Sequence, residues 1–259
     1  MDDIAVINTT ITALLALSGA SAGSFINAAA LRRKEGISIA GGRSRCPVCG
    51  RTLKWFELIP VLSWFMLAGR CRTCKAKISP RYMLVEVVGA VATALCYLRF
   101  SLSWMTLVAS GVAVILLAVA MFDLTVMEIP NGLVVALIPL AAGCFIVQPE
   151  ITLLSRGIGL LIVSVPMLVL ALVINGAFGG GDIKLMAVCG VMLGWQNTAL
   201  AFFFSIVTAG CISLRLIAAG KAKKGAHIAF GPHLCAGVMA ALLYGDTVIG
   251  WYLRLFGLN

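Results

Sequence analysis

The sequence predicts an all-α polytopic membrane protein with about eight transmembrane helices and one basic, cysteine-bearing loop, and three observations predict it. Of its 259 residues 61% are hydrophobic and 12% charged, with a mean hydropathy of +1.05, far from the balance of a water-soluble domain. Apolar runs of spanning length recur along almost the whole chain. The charge is concentrated in one place: between Arg32 and Arg81 twelve Lys and Arg stand against Glu35 and Glu57, a net +10 that equals the net charge of the entire sequence.

Taken in order, the first run covers residues 8–31. Asp2 and Asp3 stand where a cleavable signal peptide carries basic residues, so the run reads as a retained helix. The basic loop follows. Runs at 82–100, 103–122, 131–148, 157–177, 183–197, 198–217 and 227–244 supply the remaining spans, those beginning at 183 and 198 being nearly continuous. The tail "DTVIGWYLRLFGLN" reads as a short interfacial helix. The chain thus divides into a first transmembrane helix at 1–31, a loop subdomain at 32–81 and a membrane-embedded domain at 82–259.

A loop of about 50 residues falls within the reach of the positive-inside rule, which places it in the cytoplasm and the N-terminus outside. Alternation of spans then brings the segments after 122 and around 178–182 to the cytoplasmic side. The basic stretch "RLIAAGKAKKGAH", with Arg215, Lys221, Lys223 and Lys224, lands there too. The partner such a loop meets is anionic lipid, not nucleic acid.

Four of nine cysteines lie in that loop. Cys46 and Cys49 in "CPVCG" and Cys71 and Cys74 in "CRTCK" form two C-x2-C pairs separated by 21 residues. Two residues between thiols let both sulfurs turn to one point, and two such knuckles supply the four soft ligands of a tetrahedral zinc site. Such a site has no open coordination position, so the zinc is structural and staples a small cytoplasmic subdomain. Redox dithiols are the competing reading. The apolar segment between the knuckles is broken by Pro60 and reads as lying on the membrane face, with Trp55 and Trp64 at headgroup depth. Cys96, Cys144, Cys189, Cys211 and Cys235 stand singly in apolar spans and read as small core residues.

Carboxylates in or beside spans are costly, about 2.5–3.5 kcal/mol even on insertion scales, and each needs a reason. Asp123 ends the run "SGVAVILLAVAMF" and Asp182 follows the glycines of "FGGGDIKLMA"; both fall on the same side, on non-adjacent helices. Two carboxylates sharing one proton can hydrolyse a peptide, one activating water and the other donating to the carbonyl. Such a dyad titrates in two steps that belong to the pair. Gly179, Gly180 and Gly181 would let a locally unwound backbone approach a substrate strand, tolerable at membrane depth only beside a wet cavity or inside protein. Two other readings stand beside this one. Asp182 could cap a helix by accepting from the N–H groups of Lys184 or Leu185. The pair could also serve an ion site of a transporter.

Further motifs narrow the choice. With "GSFINAAALRR" at 23–33, the two cysteine pairs, "ELIPVLSWFMLAGRCRTCKAKISPRYMLVE" at 57–86, "FDLTVMEIPN", "GGGDIKLMA" and "FGPHLCAG" at 230–237, the chain resembles the bacterial type IV prepilin peptidases over nearly its full length. These are membrane aspartic proteases of the G-x-G-D class. The resemblance implies that Asp123 and Asp182 are the catalytic aspartates, that Gly179, Gly181 and Asp182 form the G-x-G-D box, and that Cys46, Cys49, Cys71 and Cys74 bind zinc. It further implies a bacterial inner-membrane enzyme that removes the basic leader of prepilins and pseudopilins at the cytoplasmic face. Members with the cysteine loop commonly also methylate the new N-terminal amine with S-adenosylmethionine. No Gly-rich nucleotide loop after a strand marks where that methyl donor would bind. Asn131 and Ala229 depart from the family pattern, which often has Asp and Pro at those positions.

Lys184 and Glu86 are candidate site-supporting residues. For Lys184 the stronger expectation is a side chain reaching to the headgroups; for Glu86 it is an ion pair with Arg81. Glu128 reads as solvated, and His227 and His233 as packed or interfacial. Two other functions remain: an ion- or proton-coupled transporter using the same aspartates, and a scaffold whose zinc loop docks a secretion partner.

Overall fold

The computed structural model describes residues 2–38, 43–174, 176–220 and 229–257. Lys221, Lys223, Lys224 and His227 lie outside the described residues. Among those described the chain is helical, its only strand-like pairings being the isolated bridges Arg45 to Thr52 and Arg70 to Lys77. Among the described residues six helical stretches are long and apolar enough to cross a membrane. The chain forms two compact units, Met1–Thr106 and Leu107–Asn259.

The first unit pairs α1 (Asp2–Lys34) with α3 (Arg81–Phe100) in antiparallel fashion. Between helices already surrounded by apolar material the gain comes from close packing and interhelical hydrogen bonds. Gly23 provides the first: a Cβ there would lie 2.7 Å from the Val85 carbonyl. Thr93 donates from its hydroxyl to Leu15 O at 2.8 Å, and Tyr97 donates to Asn8 Oδ1 at 2.8 Å. The hydroxyls of Thr9, Thr10, Thr12, Ser18 and Ser21 in α1 donate back to their own helix, as Thr10 does to Val6 O and Ser21 to Leu17 O, which makes them tolerable in an apolar span. Between the helices lie the cysteine knuckles, a 3-10 turn at Trp55–Leu58 and the short helix α2 (Leu62–Met66). Trp55 points outward, 77% exposed. Trp64 does not: its ring covers Gly69 and its Nε1–H donates to Ile78 O at 3.4 Å.

The second unit holds α4 (Trp104–Val126), α5 (Asn131–Val147), α6 (Leu153–Ile162), α7 (Ser164–Val173), α8 (Gly180–Ala218) and α9 (Gly231–Leu255). The break between α6 and α7 belongs to Pro166, which cannot donate to the carbonyl one turn back. Helix α8 has 39 residues but is not one rod, because Gly194 sits at φ 72, ψ 170. A continuous helix would separate residues 180 and 202 by about 33 Å. Yet Phe178, two residues before α8, has its ring centroid 6.5 Å from that of Phe202. The chain therefore reverses at Gly194, where a side chain would need a backbone conformation that L-residues avoid. The expected runs 183–197 and 198–217 are the two arms of this hairpin. With the shorter apolar helix α5, the six spans and the divided α8 give eight apolar arms, so the expected count holds approximately.

Away from the aspartates, Arg156 holds the second unit together. It is buried, 2% exposed, and donates to the carbonyls of Cys144, Gln148, Ile151, Val191 and Met192, while its guanidinium stacks 4.4 Å over Phe145. Cys144 and Gln148 lie at the end of α5, Ile151 in the turn before α6, and Val191 and Met192 near the end of the first arm of α8, so one guanidinium ties three segments together.

Candidate active site and metal centre

Asp123 occupies the last turn of α4 and Asp182 the first turn of α8, and both are buried. The structure brings them to the same end of the second unit. The carboxylate of Asp182 lies within electrostatic reach of Asp123, and the Cys235 thiol of α9 within reach of both. Each aspartate accepts one backbone N–H. Gly231, at the N-terminus of α9, donates to Asp123 Oδ2 at 2.8 Å across 108 residues of sequence. Gly179 donates to Asp182 Oδ2 at 3.2 Å, leaving Asp182 Oδ1 buried with no hydrogen-bond partner. A helix N-terminus favours a carboxylate, and each aspartate has one such backbone donor.

Capping is therefore real but differs from expectation. Asp182 reaches back to Gly179 N–H, three residues before it, and not forward to Lys184 or Leu185. The glycines also behave differently. Gly179 is extended at φ −74, ψ 143, whereas Gly180 and Gly181 already belong to the helix, so no unwound stretch runs through all three. Gly181 is needed for packing, because a Cβ there would lie 2.7 Å from Cβ of Ile129, in the segment that follows Asp123. A Cβ at Gly180 would meet nothing within 4 Å, so approach from that side is open.

Two further contacts tie the boxes together. Lys184 Nζ donates to Asn131 Oδ1 at 3.0 Å, so Lys184 bridges α8 to the start of α5 instead of extending to headgroups. Phe178 and Phe230 pack against each other at a tilt of 53° with ring centroids 5.6 Å apart, each beside the glycine that bonds an aspartate. The sequence reading missed Gly231 and this aromatic contact; a Gly-Pro step opening an apolar helix was the available signal. His233 lies in the first turn of α9, and Glu128 is exposed in the short turn before α5.

In the first unit the four cysteine sulfurs of residues 46, 49, 71 and 74 all lie within 4.8 Å of one another, and Cys46 Sγ is 3.8 Å from Cys74 Sγ. Sulfurs about 2.3 Å from a tetrahedral ion are about 3.8 Å apart, so the cluster fits a metal ion. The knuckles repeat each other. Cys46 N–H donates to Arg51 O and Gly50 N–H to Cys46 O; Cys71 N–H donates to Ala76 O and Lys75 N–H to Cys71 O. Backbone N–H groups of Cys49 and Val48 hold the Cys46 thiol below the usual range, and those of Cys74 and Thr73 bring Cys71 down to about 6. Beside them Arg51 grips Glu57 with two bonds of 2.5 and 3.0 Å, which lowers the Glu57 carboxyl below the ordinary range. Glu86, further along, accepts the Val61 N–H at 2.7 Å.

Residues 17–100 match the Bacterial Peptidase A24 N-terminal domain, and residues 110–214 match the Type IV leader peptidase family. A protein of Bacillus subtilis named prepilin leader peptidase/N-methyltransferase is 35% identical over 246 residues, 93% of this chain and 98% of its own length. Proteins of the same name from Aeromonas hydrophila and Pseudomonas aeruginosa are 33% and 32% identical over 83% of this chain, each covered over 76% of its own length. No solved structure matches the chain.

Proposed function

The chain belongs to the type IV leader peptidase family, and from that premise we propose that it removes the leader peptide of prepilins and pseudopilins through Asp123 and Asp182, then methylates the exposed amine. The observation that carries the proteolytic half is the buried, unpartnered Asp182 Oδ1 beside a second carboxylate. That oxygen is where a water would be held. One carboxylate, ionised, takes a proton from the water; the other, protonated, gives one to the scissile carbonyl. The Gly179 and Gly231 amides fix the outer oxygens so that the inner ones face the substrate. Gly180 leaves room for its backbone.

We place the site at the cytoplasmic side of the inner membrane. The first arm of α8, Gly180 to the reversal at Gly194, is about 21 Å long, short of a hydrocarbon core of about 30 Å. An aspartate in its first turn thus sits at or just beneath the polar boundary, next to the start of a substrate's own apolar helix. The ion-coupled transporter gains no support from the relatives, whose names are those of a peptidase and methyltransferase.

The cysteine cluster would hold zinc, which as a closed tetrathiolate supplies folding free energy. S-adenosylmethionine would supply an electrophilic methyl group. A surface cleft of about 440 Å³ in the first unit has the Trp64 ring, Arg70, Lys77 and Ser79 on its walls, but it offers two cations and no acidic side chain to a molecule that itself carries a sulfonium and an ammonium, so we assign no residues to the methyl donor. The test is to incubate the purified protein with a prepilin and labelled S-adenosylmethionine, reading leader loss by mass and methyl incorporation separately. Leader loss with label on the new N-terminus is expected; an unshortened prepilin would reject the reading.

A further inference from the structure

Three features of the first unit converge on a site with no assigned role. Asn27 is completely buried, and neither its amide nitrogen nor its amide oxygen has a hydrogen-bond partner. In native interiors a buried amide is almost always hydrogen-bonded to protein, ordered water or a ligand, so this one is free to take a partner. Glu86 is buried, 7% exposed, with one oxygen occupied by the Val61 N–H. Val61 itself stands at φ 63, ψ −54, a conformation that a β-branched residue adopts only when its surroundings impose it.

Register brings the two side chains towards each other. Gly23 of α1 lies against Val85 and Glu86 of α3, and Gly19 lies against Gly89, so Asn27, one turn further on, is level with the first turn of α3. Side chains on a helix lean towards its N-terminus. Asn27 therefore leans back towards the level of Gly23, and Glu86 leans towards the level of Tyr82. In antiparallel helices these directions meet. A carboxylate oxygen and an amide oxygen are acceptors suited to an ammonium, and the amide NH2 can donate to the first peptide carbonyl beyond it. Beside Glu86, whose carboxylate accepts the Val61 N–H, Leu62, Phe65 and Met66 of α2 are 60%, 62% and 81% exposed, an apolar surface for a hydrophobic segment following the amine.

We infer that Asn27 and Glu86 form the binding site for the free α-amino group of the shortened, apolar substrate, the methyl acceptor. This rests on the methyl-transfer reading above. A protonated amine is no nucleophile. Glu86 takes a proton from it: an N–H bond breaks, an O–H bond forms on the carboxylate, and the electron pair stays on nitrogen to receive the methyl group.

The test is binding by the full-length protein in lipid nanodiscs of a synthetic apolar peptide with a free α-amine, compared with the same peptide N-acetylated. The free amine is expected to bind about tenfold more tightly. Glu86→Gln and Asn27→Leu are each expected to erase that preference, and to lower methyl incorporation into the pre-shortened peptide at least about tenfold. Asn27→Asp, which keeps an acceptor, is expected to restore it. Asn27→Leu separates this role from a structural one, because replacing an orphaned amide by an apolar group of similar size leaves the thermal midpoint unchanged or raises it. An amine preference that survives both Glu86→Gln and Asn27→Leu, or its absence in the wild type, overturns the inference. If the wild type prefers the amine but never removes a leader, the proposed function fails and this site stands. If it removes leaders without any amine preference, the reverse holds.

Discussion

In the cysteine loop each pair of thiols is set by a hydrogen-bonded turn of a few residues, whereas at the aspartate end a carboxylate is held from 108 residues away. The loop repeats one local design, with Cys46, Gly50 and Arg51 matched by Cys71, Lys75 and Ala76. The aspartate end has no local design to repeat. Its geometry exists only once α4, α5, α8 and α9 have packed, with Gly181 against Ile129 and Gly231 against Asp123. A local centre can be lost without disturbing the rest of the fold; a site assembled from distant segments is sensitive to any displacement of its helices.

The largest effect is expected where chemistry and assembly coincide. Asp123→Asn and Asp182→Asn should each leave the protein in the membrane while lowering leader removal by a factor on the order of 10⁴, the scale seen when one member of a catalytic group is removed. Mass analysis of processed prepilin reads it directly, and full processing by either variant would reject the pair. Next comes the loop. Cys46→Ser or Cys71→Ser should abolish bound zinc, measured as metal per chain, and impair methyl transfer more than proteolysis, because the second unit's contacts do not pass through the thiols. Retained zinc with both activities intact would mean the cluster is no staple.

Smaller steps probe the long-range half of the comparison. A methyl group at Gly231 would lie 2.7 Å from Asp123 Oδ2, so Gly231→Ala should push the carboxylate aside and slow leader removal on the order of 100-fold, with zinc content unchanged. Arg156→Met removes five bonds to backbone carbonyls far from either carboxylate. At roughly 0.6 kcal/mol for each such bond in a membrane protein, the second unit should lose about 3 kcal/mol, seen as a lower unfolding midpoint. Equal loss of zinc in that variant would show that the two regions do not fail separately.

The same difference explains what could be read from sequence. Spacing revealed the cysteines, since a C-x2-C pair is local chemistry, and hydropathy revealed the arms, including the near-continuous pair that reverses at Gly194. Asp123 and Asp182 were visible as charges out of place. Their hydrogen-bond partners were not, because nothing near Asp123 in sequence announces Gly231, and Lys184 carries no mark of its bond to Asn131. Arg156 was invisible for a related reason: its partners are backbone carbonyls, which every residue has. Asn27 looked like one polar residue in a motif until its burial left it without a partner.

The smallest prediction compares the two knuckles with each other. Gly50 and Lys75 occupy equivalent places, at φ 70 and φ 57. The left-handed conformation costs glycine nothing but costs a residue with a Cβ about 1 kcal/mol or more. Lys75→Gly removes that strain from the second knuckle, and part of the gain is lost because glycine also frees the unfolded chain. The net stabilisation should be below about 1 kcal/mol and confined to the loop, read as a small increase in the chelator concentration needed to strip the metal. Gly50→Lys should move the first knuckle the opposite way by more, since strain and the lost match to its neighbours add. A Lys75→Gly variant that released metal more readily would show that Lys75 makes a contact worth more than its backbone strain, and the likeness of the two knuckles would then stop at their hydrogen bonds.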